Sequence, residues 1–306
     1  MLKGMIRKML DADKGASATY RSNSWFDCRR QRSEPVGLAR DLYPLFDLGQ
    51  MLEPFLKDAL EAPNMLHHLR RDDIPLPAPM DREGYYGDRH FCYWLSGLYD
   101  FNRVMSELPE DFSLSRILDL GGSSGRVARH FVCADKGSEV IVTDLNVNYV
   151  EWIEEYFPPI VKGLKVSGLP GVPLGDESVD LCCAFSVFTH IDAYETSWIA
   201  EIARLLRPGG RAYLTIHSEH TWSFLPDIHL FNALKDNDSF KQLFRKGSPM
   251  PSERLVFEHN PDLIDYNCNV FHHSDYIRRR WNKWLNVMSV IPRAHADQAV
   301  VICEKA

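Results

Sequence analysis

The chain has 306 residues, 45% of them hydrophobic and 25% charged, with a net charge of -7. That suffices for an ample apolar core in one large domain, or in a domain with an extension, and the acidic balance excludes a general nucleic-acid binder, which carries a basic excess. Seven cysteines with no C-x-x-C pair exclude a disulfide framework and a structural zinc site, and no apolar run approaches the ~20 residues that span a bilayer.

Residues 1–10, MLKGMIRKML, have the spacing of an amphipathic terminal helix and lack the continuous apolar stretch of a signal peptide. Residues 11–50 show no sustained period and read as irregular; Arg29-Arg30, like Arg278-Arg279-Arg280 later, reads as a solvated face. Helical spacing runs over 50–71, interrupted at Pro63. The prolines at 75, 77 and 79 force an extended arm. Over 85–108, Phe91, Trp94, Leu95, Leu98, Phe101 and Met105 share one helical stripe, with Gly97 inside it. A mainly helical N-terminal extension over 1–110 is the expectation, acting as a cap or substrate-binding element.

From residue 111 the pattern alternates strand and helix. Strands are predicted at 116–120, 139–144, 164–168, 179–186, 211–217 and 298–305. A helix is predicted at 146–156, and Asp192 with Glu195 has the form of a capping box opening another helix. Near-continuous apolar strands imply a parallel sheet covered on both faces. An insertion at about 218–268 lacks the alternation and holds a helical stretch at 230–244; a further helix is expected at 275–285. Ligands of such sheets sit outside the carboxyl ends of the strands, so residues 121–125, Asp144, 167–169, 186–190 and 217–220 should share one edge.

The first strand runs into Asp119-Leu120-Gly121-Gly122-Ser123-Ser124-Gly125, a glycine-rich turn opening a helix. It is not a dinucleotide fingerprint, because Ser123 and Arg126 stand where G-x-G-x-x-G needs glycine, and it has no P-loop ending. It resembles motif I, D/E-x-G-x-G-x-G, of the class I S-adenosylmethionine-dependent methyltransferases, with Ser123 at the middle glycine. The stretches S-V-F-T-H at 186–190 and L-R-P-G-G at 206–210 are closely similar to ones that many of those enzymes carry at the same places. The resemblance spans about 85–217. It implies a seven-stranded, mostly parallel Rossmann-like α/β sheet of order 3-2-1-4-5-7-6, strand 7 antiparallel, with helices on both faces. It also implies a methyltransferase core over 111–306, with S-adenosyl-L-methionine as cofactor and S-adenosyl-L-homocysteine as product.

The cofactor residues expected are Asp119, Gly121, Gly122, Ser123 and Gly125 in the turn. Asp144 is placed to accept ribose hydroxyls, with Leu145 on an adenine face and Ser167, Gly168 and Leu169 at its edges. The resemblance adds Ser186 and Val187 beside the methionine part. A sulfonium methyl is already electrophilic, so positioning is the main lever, and a hydroxyl or amine acceptor also calls for a base. His190, His217 and His272 are the candidates, and no metal is expected although 217–220 reads H-S-E-H. Tyr85, Tyr86, Trp94 and Trp222 are the candidate substrate aromatics. The expectation is a cytoplasmic methyltransferase acting on an oxygen or nitrogen of a small molecule of sugar or natural-product type. It has no nucleic-acid partner and no membrane span, and a homodimer is compatible with it. The alternatives are an NAD-dependent oxidoreductase on a Rossmann fold and an inactive methyltransferase-like binding scaffold.

Overall fold

The computed structural model describes residues 32–46, 52–134, 137–258 and 268–306. The amphipathic pattern at 1–10 and the Arg29-Arg30 run lie outside the described residues. The extension supplies α1 (Ala39–Leu42), α2 (Pro54–Leu60), α3 (Met65–Arg71) and the long α4 (His90–Ser106). The core then runs β1 (Arg116–Leu120), α5 (Ala128–Cys133), β2 (Glu139–Asp144), α6 (Val147–Tyr156), β3 (Val161–Lys165), β4 (Val179–Ala184), α7 (Glu195–Leu205) and β5 (Leu206–Ser218). The insertion carries α8 (Glu219–Ser223), α9 (Leu230–Leu234), α10 (Asp238–Leu243) and β6 (Arg254–Glu258). The chain closes through β7 (Cys268–His272), α11 (Ser274–Trp281), β8 (Asn286–His295) and β9 (Gln298–Glu304).

The nine described strands form one sheet. Parallel pairs link β3, β2, β1, β4 and β5 in that order, and β9 runs antiparallel to both β5 and β8. Seven of the nine strands thus follow the order 3-2-1-4-5-7-6, with β9 as the reversed strand. The other two correct the expected count. β6 and β7 are an antiparallel pair, and β7 joins the sheet beside His217 and Ser218, the last residues of β5.

Four local expectations also need correction. β3 begins at Val161, straight after Pro158-Pro159, so Ser167 and Gly168 lie in the loop beyond it. α7 has no capping box: it starts at Glu195 after Tyr194 in a left-handed conformation (φ 58°), and Asp192 Oδ1 accepts from the Ala193 N–H. The helical stretch at 230–244 is two short helices, the second capped by Asn237. The helix expected to reach 285 stops at Trp281, and β8 follows; exposed residues and Pro292 on this strand mask its alternation.

The extension and the sheet share one hydrophobic core, in which Trp94, Leu98 and Phe101 of α4 meet Phe131 and Trp152. Buried Asp72 fastens it, accepting from Trp94 Nε1 at 2.6 Å and pairing with Arg129 at 2.8 Å. Gly97 is needed at the crossing of α4 over the segment that opens α5: a Cβ there would lie 2.2 Å from the Arg126 carbonyl oxygen. The opposite face of the sheet packs on α7 and α11, through Trp198, Ile199 and Trp281. The insertion has its own small core around Trp222, Phe240 and Phe257. No described helix is long and apolar enough to cross a membrane.

Candidate active site

The loops after β1, β2 and β4 meet at the carboxyl edge of the sheet, and specific contacts hold them there. The Gly121 and Gly122 N–H groups both donate to the Thr143 carbonyl near the end of β2, at 2.8 and 3.1 Å. The Ser123 N–H donates to Asp144 Oδ2 at 3.0 Å. Val187 closes on the turn from the β4 side: a Cβ on Gly121 would lie 2.5 Å from Val187 Cγ2. The Val166 N–H donates to the Asp144 carbonyl at 3.0 Å, which brings the loop 167–169 alongside. Gly121 (φ 70°) and Gly125 (φ 79°) are left-handed, as a tight turn demands. Ser123 is left-handed too, at φ 50°, so the serine at the middle glycine position keeps a glycine's backbone.

Two buried carboxylates lie in this edge. Asp119 is 2% exposed, and its Oδ2 has no hydrogen-bond partner among the described residues. Burial pushes its pKa up to about 7; Arg126 opposes the shift, and Asp144 and Asp100 add to it. That Oδ2 would lie 2.6 Å from a Cβ on Gly122, directly beneath the turn. Burial also raises Asp144, to about 6, against the N–H groups of Asn146, Ser123 and Leu145. Asn146 N donates to its Oδ1 at 2.8 Å.

This donor set fits S-adenosylmethionine. A carboxylate accepts about four hydrogen bonds, so Asp144 keeps capacity for ribose hydroxyls. Asp119 Oδ2 lacks the donor that an ammonium group supplies. Half-buried Leu145 follows Asp144, and Leu169 is 42% exposed in the loop after β3, both open to an adenine. Gly168 accepts from Trp198 Nε1 through its carbonyl, and Ser167 Oγ accepts from Leu169 N, so this loop is held from both sides.

The S-V-F-T-H stretch is largely scaffold. The Ser186 N–H donates to Thr215 Oγ1 at 2.7 Å, and Thr189 Oγ1 donates back to the Ser186 carbonyl at 2.7 Å. Phe188 packs on Trp281, and His190 Nδ1 bonds the Cys268 carbonyl at 2.8 Å. L-R-P-G-G is scaffold as well: it forms the bulged start of β5, where Arg207 binds Asp180. Val187 is the residue of these stretches that meets the glycine turn, and Ser186 precedes it.

The histidines separate by environment. Burial, with His190 and His272 nearby, lowers the pKa of His217 to about 3 against a bond with Asn269. Such a ring is neutral and a poor proton acceptor. His272 is fully buried, with Nε2 3.0 Å from Glu195 Oε2. Half-buried His190 remains the most accessible of the three. Glu219, next to the H-S of H-S-E-H, accepts from the Ser274 N–H and hydroxyl at the start of α11.

The substrate aromatics separate in the same way. Trp94 is 0% and Trp222 1% exposed, each inside a core, which removes both from any open surface. Tyr85 and Tyr86 stay at the edge. Tyr85 is 50% exposed, yet desolvation by the surrounding protein raises its pKa to about 12. Glu83 and Asp297 add to that shift and Arg126 opposes it.

Sequence reasoning missed the groups around Arg126 and those on the β8–β9 turn. Arg126 pairs with buried Asp100 at 2.6 Å, and Asp100 lies 2.8 Å from His295 Nδ1. The Asp100 carboxyl is held below its usual range because His295 and Arg126 outweigh its burial. Burial raises the pKa of Asp297 on the turn, while His295, Arg293 and His229 lower it. Only the position of the reversed strand beside β5 could have flagged this turn in advance.

Residues 118–214 match the family model of the methyltransferase domain. Together with the strand order and the glycine turn, this match identifies a methyltransferase domain of the class I, S-adenosylmethionine-dependent kind within the chain. The chain is 32% identical over 139 residues to the malonyl-[acyl-carrier protein] O-methyltransferase of Methylococcus capsulatus, covering 43% of this chain and 50% of that protein. It is 26% identical over 113 residues to the biotin biosynthesis bifunctional protein BioHC of Cellvibrio japonicus, covering 37% of this chain and 22% of that one. The chain thus spans half or less of the length of these curated relatives. Among solved structures, a 1,6-didemethyltoxoflavin-N1-methyltransferase from Burkholderia thailandensis aligns over 85% of this chain and 93% of its own, with TM-score 0.46 and 11% identity.

Proposed function

We propose that this chain transfers the methyl group of S-adenosylmethionine to an oxygen or nitrogen of a small-molecule acceptor. The observation that carries this reading is the closure of the glycine turn between Asp144 and Val187, with the orphaned Asp119 Oδ2 beneath it. S-adenosylmethionine, when bound, supplies an activated methyl on a sulfonium.

The chain's own work is then to bind, orient and exclude water. Asp144 takes the ribose hydroxyls, and Asp119 faces the positive charge of the amino-acid end. Ser186 and Val187 border the methionine part. Tyr85 and Tyr86 border the acceptor side, between the extension and the β8–β9 turn. Asp297, near Tyr85, and half-buried His190 are the groups suited to take a proton from a hydroxyl or amine. His217 and His272 serve the packing around β7. The O-methyltransferase among the relatives favours an oxygen acceptor.

Calorimetric titration with S-adenosylmethionine and S-adenosylhomocysteine tests the reading. The expected result is one saturable site, with Asp144→Ala weakening it by about tenfold or more. No binding, or Asp144→Ala binding as tightly as the wild type, contradicts it. Transfer of labelled methyl to a malonyl thioester probe then tests the oxygen preference.

A further inference from the structure

The β8–β9 hairpin comes from the far end of the chain and grips the cofactor edge at two points. On one side of its turn, His295 holds Asp100, which holds Arg126, the residue after Gly125. On the other side, Gln298 Nε2 donates to Ser186 Oγ at 2.9 Å across 112 residues of sequence. The same hydroxyl lies 3.3 Å from Gln298 Oε1. Gln298 opens β9 and is 8% exposed, so its amide is fixed by packing rather than free in solvent.

Ser186 needs this grip. Its φ is 58°, in the left-handed region that L residues rarely occupy. Two of the bonds that hold it involve its backbone and come from Thr215 and Thr189, on β5 and in the same turn. The bond to its side chain comes from Gln298. The residue after Ser186 is Val187, whose Cγ2 sits where a Cβ on Gly121 would have to go. A change in the Ser186 backbone would therefore move Val187 off the glycine turn.

We infer that Gln298 is a positioning residue for the cofactor site: it locks Ser186 in its left-handed conformation, and Ser186 in turn sets Val187 against Gly121. The inference rests on the S-adenosylmethionine reading above and adds a residue that lies beyond the stretch matched to the family model. It gives the reversed strand a role at the site as well as in the sheet. The backbone carbonyl of neighbouring Asp297 accepts from Thr221 Oγ1 at 2.7 Å, which ties the turn to the insertion too.

The test is titration of the full chain with S-adenosylhomocysteine, with a thermal melt on each variant to confirm folding. Gln298→Ala should weaken binding by about tenfold, the scale of a lost buried hydrogen bond. Ser186→Ala removes the same bond from the other side and should lose about as much, which keeps the test open if Gln298→Ala does not fold. Adding Gln298→Ala to Ser186→Ala should then cost less than about twofold more, because both act through one bond. Glycine holds a φ of 58° without strain, so Ser186→Gly should restore most of the loss in a Gln298→Ala background. Binding within about twofold of wild type in Gln298→Ala, losses that multiply in the double variant, or no rescue by glycine overturns the inference. A wild type that binds no S-adenosylhomocysteine overturns the methyltransferase reading and this inference together.

Discussion

Two buried carboxylates in this protein behave in opposite ways. Glu195 at the start of α7 is saturated: Trp281 Nε1 donates to one oxygen at 2.6 Å, and His272, Arg254 and Tyr276 meet the other at 3.0, 3.0 and 3.3 Å. Burial alone would raise its pKa, but these partners hold it down at about 2. Asp119 is as deeply buried, has an oxygen with no partner among the described residues, and is pushed up to about 7. The fold spends one carboxylate on tying β6, β7 and α11 to α7. It leaves the other short of a donor, beneath the glycine turn. A saturated buried ion builds structure, while an unsaturated one stores affinity for whatever completes it.

The contrast predicts which changes are costly and which are informative. Glu195→Ala strands Arg254, His272 and the Trp281 N–H together, so it should cost about 3–5 kcal/mol in urea unfolding. Cofactor affinity of the protein that remains folded should hardly change; a large loss of affinity would blur the distinction between the two regions.

The next largest effect comes from a third buried group, His68. Burial, with His67 and Arg71 nearby, lowers its pKa from 6.5 to about 4. The unfolded chain therefore binds a proton first as pH falls. The stability of the folded state is intact above pH 6.5 and drains away between there and about 4. The loss is roughly 3 kcal/mol at full effect. Urea midpoints measured across this window should fall with pH, and His68→Phe should flatten the slope.

Asp119 carries the opposite sign. Its pKa is raised from 3.8 to about 7, so the folded state binds the extra proton and stability declines as pH rises through that window. Asp119→Asn should therefore stabilise the cofactor-free protein at pH 8, by on the order of 2 kcal/mol, while weakening cofactor binding. Loss of both stability and affinity would assign Asp119 a structural role like that of Glu195.

The smallest effect belongs to Ser123→Gly, which relieves a left-handed serine and keeps the backbone bond to Asp144. Thermal melting should show a gain of about 0.5–1 kcal/mol. Ser123 stands among the cofactor residues expected from the sequence, which would make its side chain a contact. The structure instead puts the weight of this residue on its N–H, so affinity should hold.

The parts of the molecule legible in sequence are those governed by local pattern. The apolar runs of β1, β2 and β4 and the glycine turn after β1 announced a ligand edge, because burial on both faces leaves a near-continuous apolar signal. Asp144 was legible from its place at a strand end. Glu195 was misread as a helix cap, since its partners at 254, 272, 276 and 281 are distant in sequence. Trp94 and Trp222 looked like ligand aromatics because composition cannot tell a core ring from a cleft ring. β8 and the Gln298 grip were invisible for a related reason: an edge strand holding a proline carries little pattern, and a bond between residues 112 positions apart carries none.

The central claim is that Asp119 is the unsaturated charge that the cofactor completes. Calorimetric titration with S-adenosylhomocysteine at pH 7, in two buffers of different ionisation enthalpy, tests it directly. Near its pKa Asp119 is partly protonated, and the ammonium group of the ligand's amino-acid end favours the carboxylate, so binding to the wild type should release a fraction of a proton. Asp119→Asn should bind more weakly and release none from this site. Proton release that is absent in the wild type, or equal in the two proteins, would contradict the account.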